Sequence, residues 1–253
     1  ENNVPEVENL TPIELREMRA SMAAVPSEHQ VQINHINEIT IKSESRELKL
    51  RIYSNKNDDD NQPLIIFFHG GGFVMGNLET HDFTCRSICK ESEMIVVAVD
   101  YSLSPEYKFP YALSESKDVL QSLTDFENEF NIDLNNLFVC GDSAGGNLAT
   151  VLAINSSKKN IIPIQGQILI YPCVDLTLTM KSMDINLDGM TLTYDTMNYF
   201  IGHYLKSKKE SVNWEASPLF SGNLKNMPET FIFAAGLDPL LDEGIAYKKR
   251  LEY

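Results

Sequence analysis

The chain has 253 residues, 43% of them hydrophobic, enough for a sizeable core, and its 21 Lys+Arg against 36 Asp+Glu give a net charge of −15. That balance repels phosphate backbones and anionic lipid, so nucleic acid is excluded as a partner. No apolar run is long enough to span a bilayer, and the opening "ENNVPEVENL" lacks the basic-then-apolar order of a leader, although a start without methionine leaves a removed signal peptide open. Cys85, Cys89, Cys140 and Cys173 lie in or beside apolar segments without metal-site spacing. They are read as reduced and partly buried, which points to the cytoplasm.

In chain order, Thr11-Pro12 opens a short helix, with Thr as N-cap and Pro in the first turn. "RELKLRIYS" (46–54) alternates as a half-exposed strand does, and a polar turn at 55–62 leads into "PLIIFFH" (63–69), a continuous apolar run of the buried-strand kind. These two are expected to pair as a hairpin. Further buried strands are expected at 94–101, 137–141, 165–172 and 229–236, with helices between them at about 80–92, 110–126, 144–157 and 241–252. Strands alternating with helices predict an α/β unit spanning 1–253, with a mostly parallel central sheet and helices on both faces. Two segments stand outside the alternation: about 1–40, and 174–215 with its own helix at 194–206. Together they are expected to form a small helical lid over the C-terminal edge of the sheet, where open α/β sheets bind ligands.

"GDSAG" (141–145) follows a predicted strand and precedes a predicted helix, the context in which a tight turn lifts a serine hydroxyl above a sheet. Alone it also fits a small-residue crossing with an incidental serine. "HGGG" (69–72) likewise follows a buried strand, and its glycines leave backbone N–H groups free to meet a developing negative charge. Taken alone it reads equally as a flexible loop. Having both, each directly after its strand, favours an acyl-transfer site with Ser143 as nucleophile. The chain order His69, Asp100, Ser143 also matches chymotrypsin-like proteases, but those need antiparallel barrels rather than alternating strands and helices. Asp238 falls at the C-terminal end of the predicted strand "ETFIFAAG", on the edge where Ser143 emerges; Asp242 and Glu243 suit the first turn of the next helix.

With "FFHGGGFVMGNLETHD", "VVAVDYSLSPEYKFPYAL", "GDSAGGNLA", "ILIYPCVD", "SPLF" and "FIFAAGLDPLLDEGIAYKKRL" in this order, the chain resembles the hormone-sensitive-lipase-like family of α/β-hydrolase carboxylesterases. The resemblance implies an α/β-hydrolase fold, a small-molecule ester substrate with a short to medium acyl chain, and no metal or organic cofactor. It implies Ser143 as nucleophile, Gly71, Gly72 and Ala144 as oxyanion donors, and Asp238 as the triad acid. Ser102 stands where members commonly carry arginine, a departure expected to affect packing rather than chemistry.

The family's catalytic histidine follows the acid, and none of His29, His35, His69, His81 and His203 does. The expectation is therefore that the base, with a last strand and a closing helix, lies beyond Tyr253. His203, in the lid, is the first alternative. A ligand-binding protein on the same scaffold, like the plant gibberellin receptors, and an amide hydrolase or deacetylase remain as alternative functions. Oligomeric state cannot be read from the sequence.

Overall fold

The computed structural model describes residues 5–22, 29–43, 46–55, 61–159, 162–185 and 192–253. Among these, seven strands form one sheet in the order β1-β2-β4-β3-β5-β6-β7. They are β1 (His35–Lys42), β2 (Glu47–Ser54), β3 (Gln62–Phe68), β4 (Ile95–Val99), β5 (Ile132–Asp142), β6 (Ile164–Ile170) and β7 (Glu229–Phe233). From β4 to β7 neighbouring strands are parallel, while β2 runs antiparallel to both β1 and β4.

The apolar runs of β3 and β4 became interior strands because both of their faces are covered, whereas the run expected as a buried strand at 229–236 gives β7, which ends the sheet and is half-buried to exposed along its length. Leu64, Ile66 and Phe68 of β3 point into a core shared with Leu113 and Leu120 of α3 (Tyr111–Phe126), Leu148 and Leu152 of α4 (Ala144–Lys159), and Tyr247 of α6 (Leu241–Leu251). Ile65 and Phe67 point the other way, onto Cys85 and Cys89 of α2 (Asp82–Ser92). All four cysteines are unpaired and buried.

The expected hairpin of 46–54 with 63–69 is overturned: β4 lies between those strands, and β2 pairs with β4 on one side and with β1 on the other, where Ser43 N–H donates to Arg46 C=O at 2.9 Å. The physical reason lies in burial. β3 is buried from Leu64 onward and requires parallel neighbours with crossover helices, whereas β1, "HINEITIK", is exposed along most of its length and suits a sheet edge. Residues 35–40, grouped by sequence with the N-terminal cover, belong to this edge strand.

Thr11 and Glu14 cap α1 (Pro12–Met22) reciprocally, Glu14 accepting the Thr11 N–H at 2.8 Å and Thr11 Oγ1 accepting the Glu14 N–H at 3.3 Å. Leu15 of α1 packs with Val74 and with Phe200 of α5 (Tyr194–Tyr204), and the Tyr199 hydroxyl donates to Leu10 C=O at 2.9 Å. The two helices thus meet over the loop that follows β3. The sheet face that α2 covers stays open at its far end: Ile168 and Ile170 are half-buried, and their neighbours on β7, Phe231 and Phe233, are 52% and 59% exposed.

Candidate active site

Ser143 occupies the one-residue step between β5 and α4, with φ at +51°. A side-chain-bearing residue in that left-handed region costs roughly 1–2 kcal/mol, so the surroundings must hold it there. Its N–H donates to Ile170 C=O at 2.9 Å, and its C=O accepts from Asn147 N–H at 3.1 Å and from Cys173 N–H at 3.0 Å. The turn is tight because α4 lies directly against the end of β3. A Cβ on Gly145 would stand 1.9 Å from Phe68 O, which explains why the residue two places after the serine has no side chain.

The loop after β3 turns back on itself, Gly71 C=O accepting both Val74 and Met75 N–H at 3.0 Å. Among the described residues no protein acceptor takes the N–H of Gly71, Gly72 or Ala144. Two ties fix the loop. Gly70 N–H donates to Asp142 Oδ1 at 2.8 Å, and Arg16 Nε of α1 donates to Val74 C=O at 2.7 Å while its guanidinium also pairs with Glu106. Gly72, Ser143 and Ala144 line one narrow cavity with Phe73, Cys173, Leu176, Leu192, Met197, Phe200 and Ile201, and no histidine is in that set.

Asp142 is partly buried beside the serine. Burial pushes its carboxyl up, but the His81 ring 3.5 Å away, then His69 and the Gly70 N–H, reverse the effect and hold it below the usual carboxylate range. His69 is buried and stacked on Tyr101, with 4.2 Å between ring centroids, and its Nδ1 lies 2.8 Å from Gly70 C=O. Burial first, then His81, lowers it to about 4, so it stays neutral where a general base would need to take a proton. His203 is turned aside: its Nδ1 meets Tyr199 C=O at 2.9 Å and its ring packs on Tyr199.

Asp238 lies beyond the end of β7, on the same sheet edge as Ser143 and two strand spacings away, roughly 10 Å along the sheet. Its Oδ1 accepts Leu240 N–H at 2.8 Å, and burial nonetheless raises its carboxyl. Ser182 fixes the segment that follows, its Oγ donating to Pro239 C=O at 2.6 Å and its N–H to Asp242 Oδ2 at 2.9 Å. Glu243 does fall in the first turn of α6, and it is fully buried there. The signal was in the spacing: Leu240, Glu243 and Tyr247 share one face of α6, and the other two are core residues. At Ser102 the charge the family places there arrives from elsewhere. Arg46 Nε reaches Ser102 Oγ at 2.8 Å and Glu115 Oε1 at 3.1 Å, an ion pair that the sequence reading missed because the partners are 69 residues apart.

The alpha/beta hydrolase fold family model matches residues 65–253. An arylesterase of Saccharolobus solfataricus is 34% identical over 229 residues, 90% of this chain and 73% of its own length. The ethyl acetate hydrolase of Pseudomonas putida is 31% identical over 208 residues, 81% of this chain and 65% of its own. The crystal structure of a hyperthermophilic esterase from the archaeon Pyrobaculum calidifontis superposes with a TM-score of 0.93 at 32% identity, covering 99% of this chain and 81% of that one. No helix of the described residues is long and apolar enough to cross a membrane. With its strand order, its serine step and these relatives, the chain belongs to the α/β-hydrolase family, among the carboxylesterases of the hormone-sensitive-lipase-like branch.

Proposed function

We propose that the whole protein hydrolyses carboxylic esters of short to medium acyl chains through an acyl-enzyme on Ser143. The observation that carries this reading is the strained Ser143 beside unclaimed N–H groups on one cavity: Gly72 and Ala144 line it with the serine, and Gly71 precedes them in the loop. Ser143 Oγ attacks the ester carbonyl, and the N–H groups of Gly71, Gly72 and Ala144 receive the charge that develops on its oxygen. The alcohol leaves with a proton, and water then releases the acid and frees the serine. Phe73, Leu176, Leu192, Met197, Phe200 and Ile201 give the acyl group an apolar seat, with α1 and α5 as a lid. No step of this chemistry calls for a metal or an organic cofactor.

The proton of Ser143 goes to a histidine on chain beyond Tyr253, oriented by Asp238. Three observations support this. The cavity is lined without histidine, His69 and His203 are engaged elsewhere, and Asp238 carries a half-buried carboxyl for which burial is unfavourable until a cation partners it. The uncovered Phe231 and Phe233 are the place for the next strand and helix. Four buried, unpaired thiols support a cytoplasmic location. A receptor on this scaffold has no use for the cost of a left-handed serine, so the enzyme reading is preferred. The test is labelling of the full-length protein with a fluorophosphonate: one equivalent is expected on Ser143 and none on Ser143→Ala, and equal labelling of both would overturn the assignment.

A further inference from the structure

We propose that Glu243 is a positioning residue for the nucleophile: by holding the peptide groups of Val174 and Asp175, it fixes the run whose Cys173 N–H keeps Ser143 in its left-handed conformation. The inference rests on the reading of Ser143 as nucleophile.

Residues 173–176, just past the C-terminal end of β6, have left the sheet, so their backbone groups must find partners elsewhere. Glu243 Oε1 takes two of them, Val174 N–H at 2.6 Å and Asp175 N–H at 3.2 Å. Asn147 Nδ2 donates to Cys173 C=O at 2.8 Å, and Ser217 Oγ accepts Leu176 N–H at 2.8 Å. Cys173 N–H, adjacent to the two groups Glu243 holds, donates to Ser143 C=O at 3.0 Å. Among the described residues that bond is the one tie on the serine carbonyl from outside its own helix, since Asn147 N–H is the ordinary helical partner. Glu243 sits on α6, five residues beyond Asp238, so one side chain joins the element that follows the acid to the turn that carries the serine.

A carboxyl is an unexpected choice for this place. Glu243 is fully buried, with the Cys173 thiol beside it. Burial, against the two N–H groups and assisted by Asp175 and Asp238, raises its pKa well above the usual range, which favours the neutral acid. A neutral carboxyl accepts as an amide does, and the role belongs to the acceptor oxygen rather than to charge.

The test compares Glu243→Gln, Glu243→Leu and Glu243→Asp in the full-length protein, by ester turnover, by the rate of fluorophosphonate labelling of Ser143, and by amide exchange at 143–147 and 173–175. Gln keeps the acceptor and should retain kcat within about threefold. Leu keeps the volume but strands two buried N–H groups. It should slow labelling and kcat in parallel by roughly 10- to 100-fold, as a displaced reacting group does, with KM within about threefold and faster exchange in both segments. Leu labelled at the wild-type rate, or Gln slowed as much as Leu, would overturn the proposal. Should Leu not fold, Asp decides, because a carboxyl one methylene shorter cannot reach both N–H groups: slowed labelling supports the role and wild-type labelling ends it. Failure of the wild-type protein to label at all would instead refute Ser143 as nucleophile, and exchange at 173–175 would still report whether Glu243 holds that run.

Discussion

In the proposed mechanism Asp238 is asked to do two opposed things, to sit half-buried without a cation among the described residues and to be ionised for catalysis. Because burial raises its folded pKa, the folded chain favours the protonated form. Its stability contribution is therefore fully present below the unfolded carboxylate range near 3.9 and is lost as pH rises through the raised value. Asp238→Asn keeps an oxygen for the Leu240 N–H and removes the charge. The 253-residue chain carrying it should show a higher thermal midpoint than wild type at pH 7, with the gap closing below pH 4. In the full-length protein the same change should cost about 10⁴ in kcat, since an amide no longer orients the histidine in the right tautomer. A lower midpoint at pH 7 in the short chain would show that the Asp238 carboxylate already has a cation. Glu243 makes the same point about burial from the other side: three carboxyl groups on one short stretch, Asp238, Asp242 and Glu243, serve as candidate triad acid, as acceptor of the Ser182 N–H and as buried acceptor. Only the helical spacing to Leu240 and Tyr247 separated them in the sequence.

Between elements, the contact that matters most is that of the glycine loop with α5. Gly72 has φ at +61°, and a Cβ there would lie 2.2 Å from the Phe200 ring. Gly72→Val therefore strains the loop and pushes α5 off it at once. Loss of one oxyanion donor costs about 10² to 10³ in turnover, and here the expected signature is a fall in kcat larger than any rise in KM, read by steady-state ester hydrolysis of the full-length enzyme. Full turnover with merely weaker binding would mean that the Gly72 N–H does not serve the transition state. How far these elements could be read from sequence depended on what fixes them. β3 to β6 and α2 to α6 were legible because buried strands write apolar runs and the helices between them carry their own period, and β7 was legible from its apolar run although Phe231 and Phe233 are exposed. β1 was missed because "HINEITIK" is exposed on most positions and reads as polar loop, and with it went one of the two partners of β2. Ser143 and the glycine loop were legible because close approach of α4 to β3 demands glycine at fixed places. Arg46 was not, since only the tertiary fold brings it to Glu115.

For the molecule as a whole, the proposed triad acid Asp238 lies beside the least covered part of the described sheet. The α3 and α4 side of the sheet is closed, while on the other side cover ends with α2, and β6 and β7 present Ile168, Ile170, Phe231 and Phe233 to the outside. An apolar strand exposed at a sheet edge is a template for pairing with another chain, so the 253-residue chain alone should self-associate. The same edge lies beside Asp238, where the proposed histidine must arrive. Both features respond to one experiment, in which the 253-residue chain and the full-length protein are assayed side by side for hydrolysis of a short p-nitrophenyl ester and for oligomeric state. Removing the base from a comparable triad costs on the order of 10⁶ in turnover, while oxyanion donors and binding retain about 10³ to 10⁴ over water. The short chain should therefore be nearly inactive and aggregation-prone; the full-length protein should be active and better behaved, with turnover falling as pH drops below the pKa of the added histidine. Phosphonate labelling of Ser143 should fall with turnover in the short chain, because the attack on phosphorus needs the same base. Comparable turnover in the two proteins would place the base within these 253 residues. His203 would then be the side chain to replace, since it lies two residues beyond Ile201, a lining residue of the cavity, on the helix that covers Ser143.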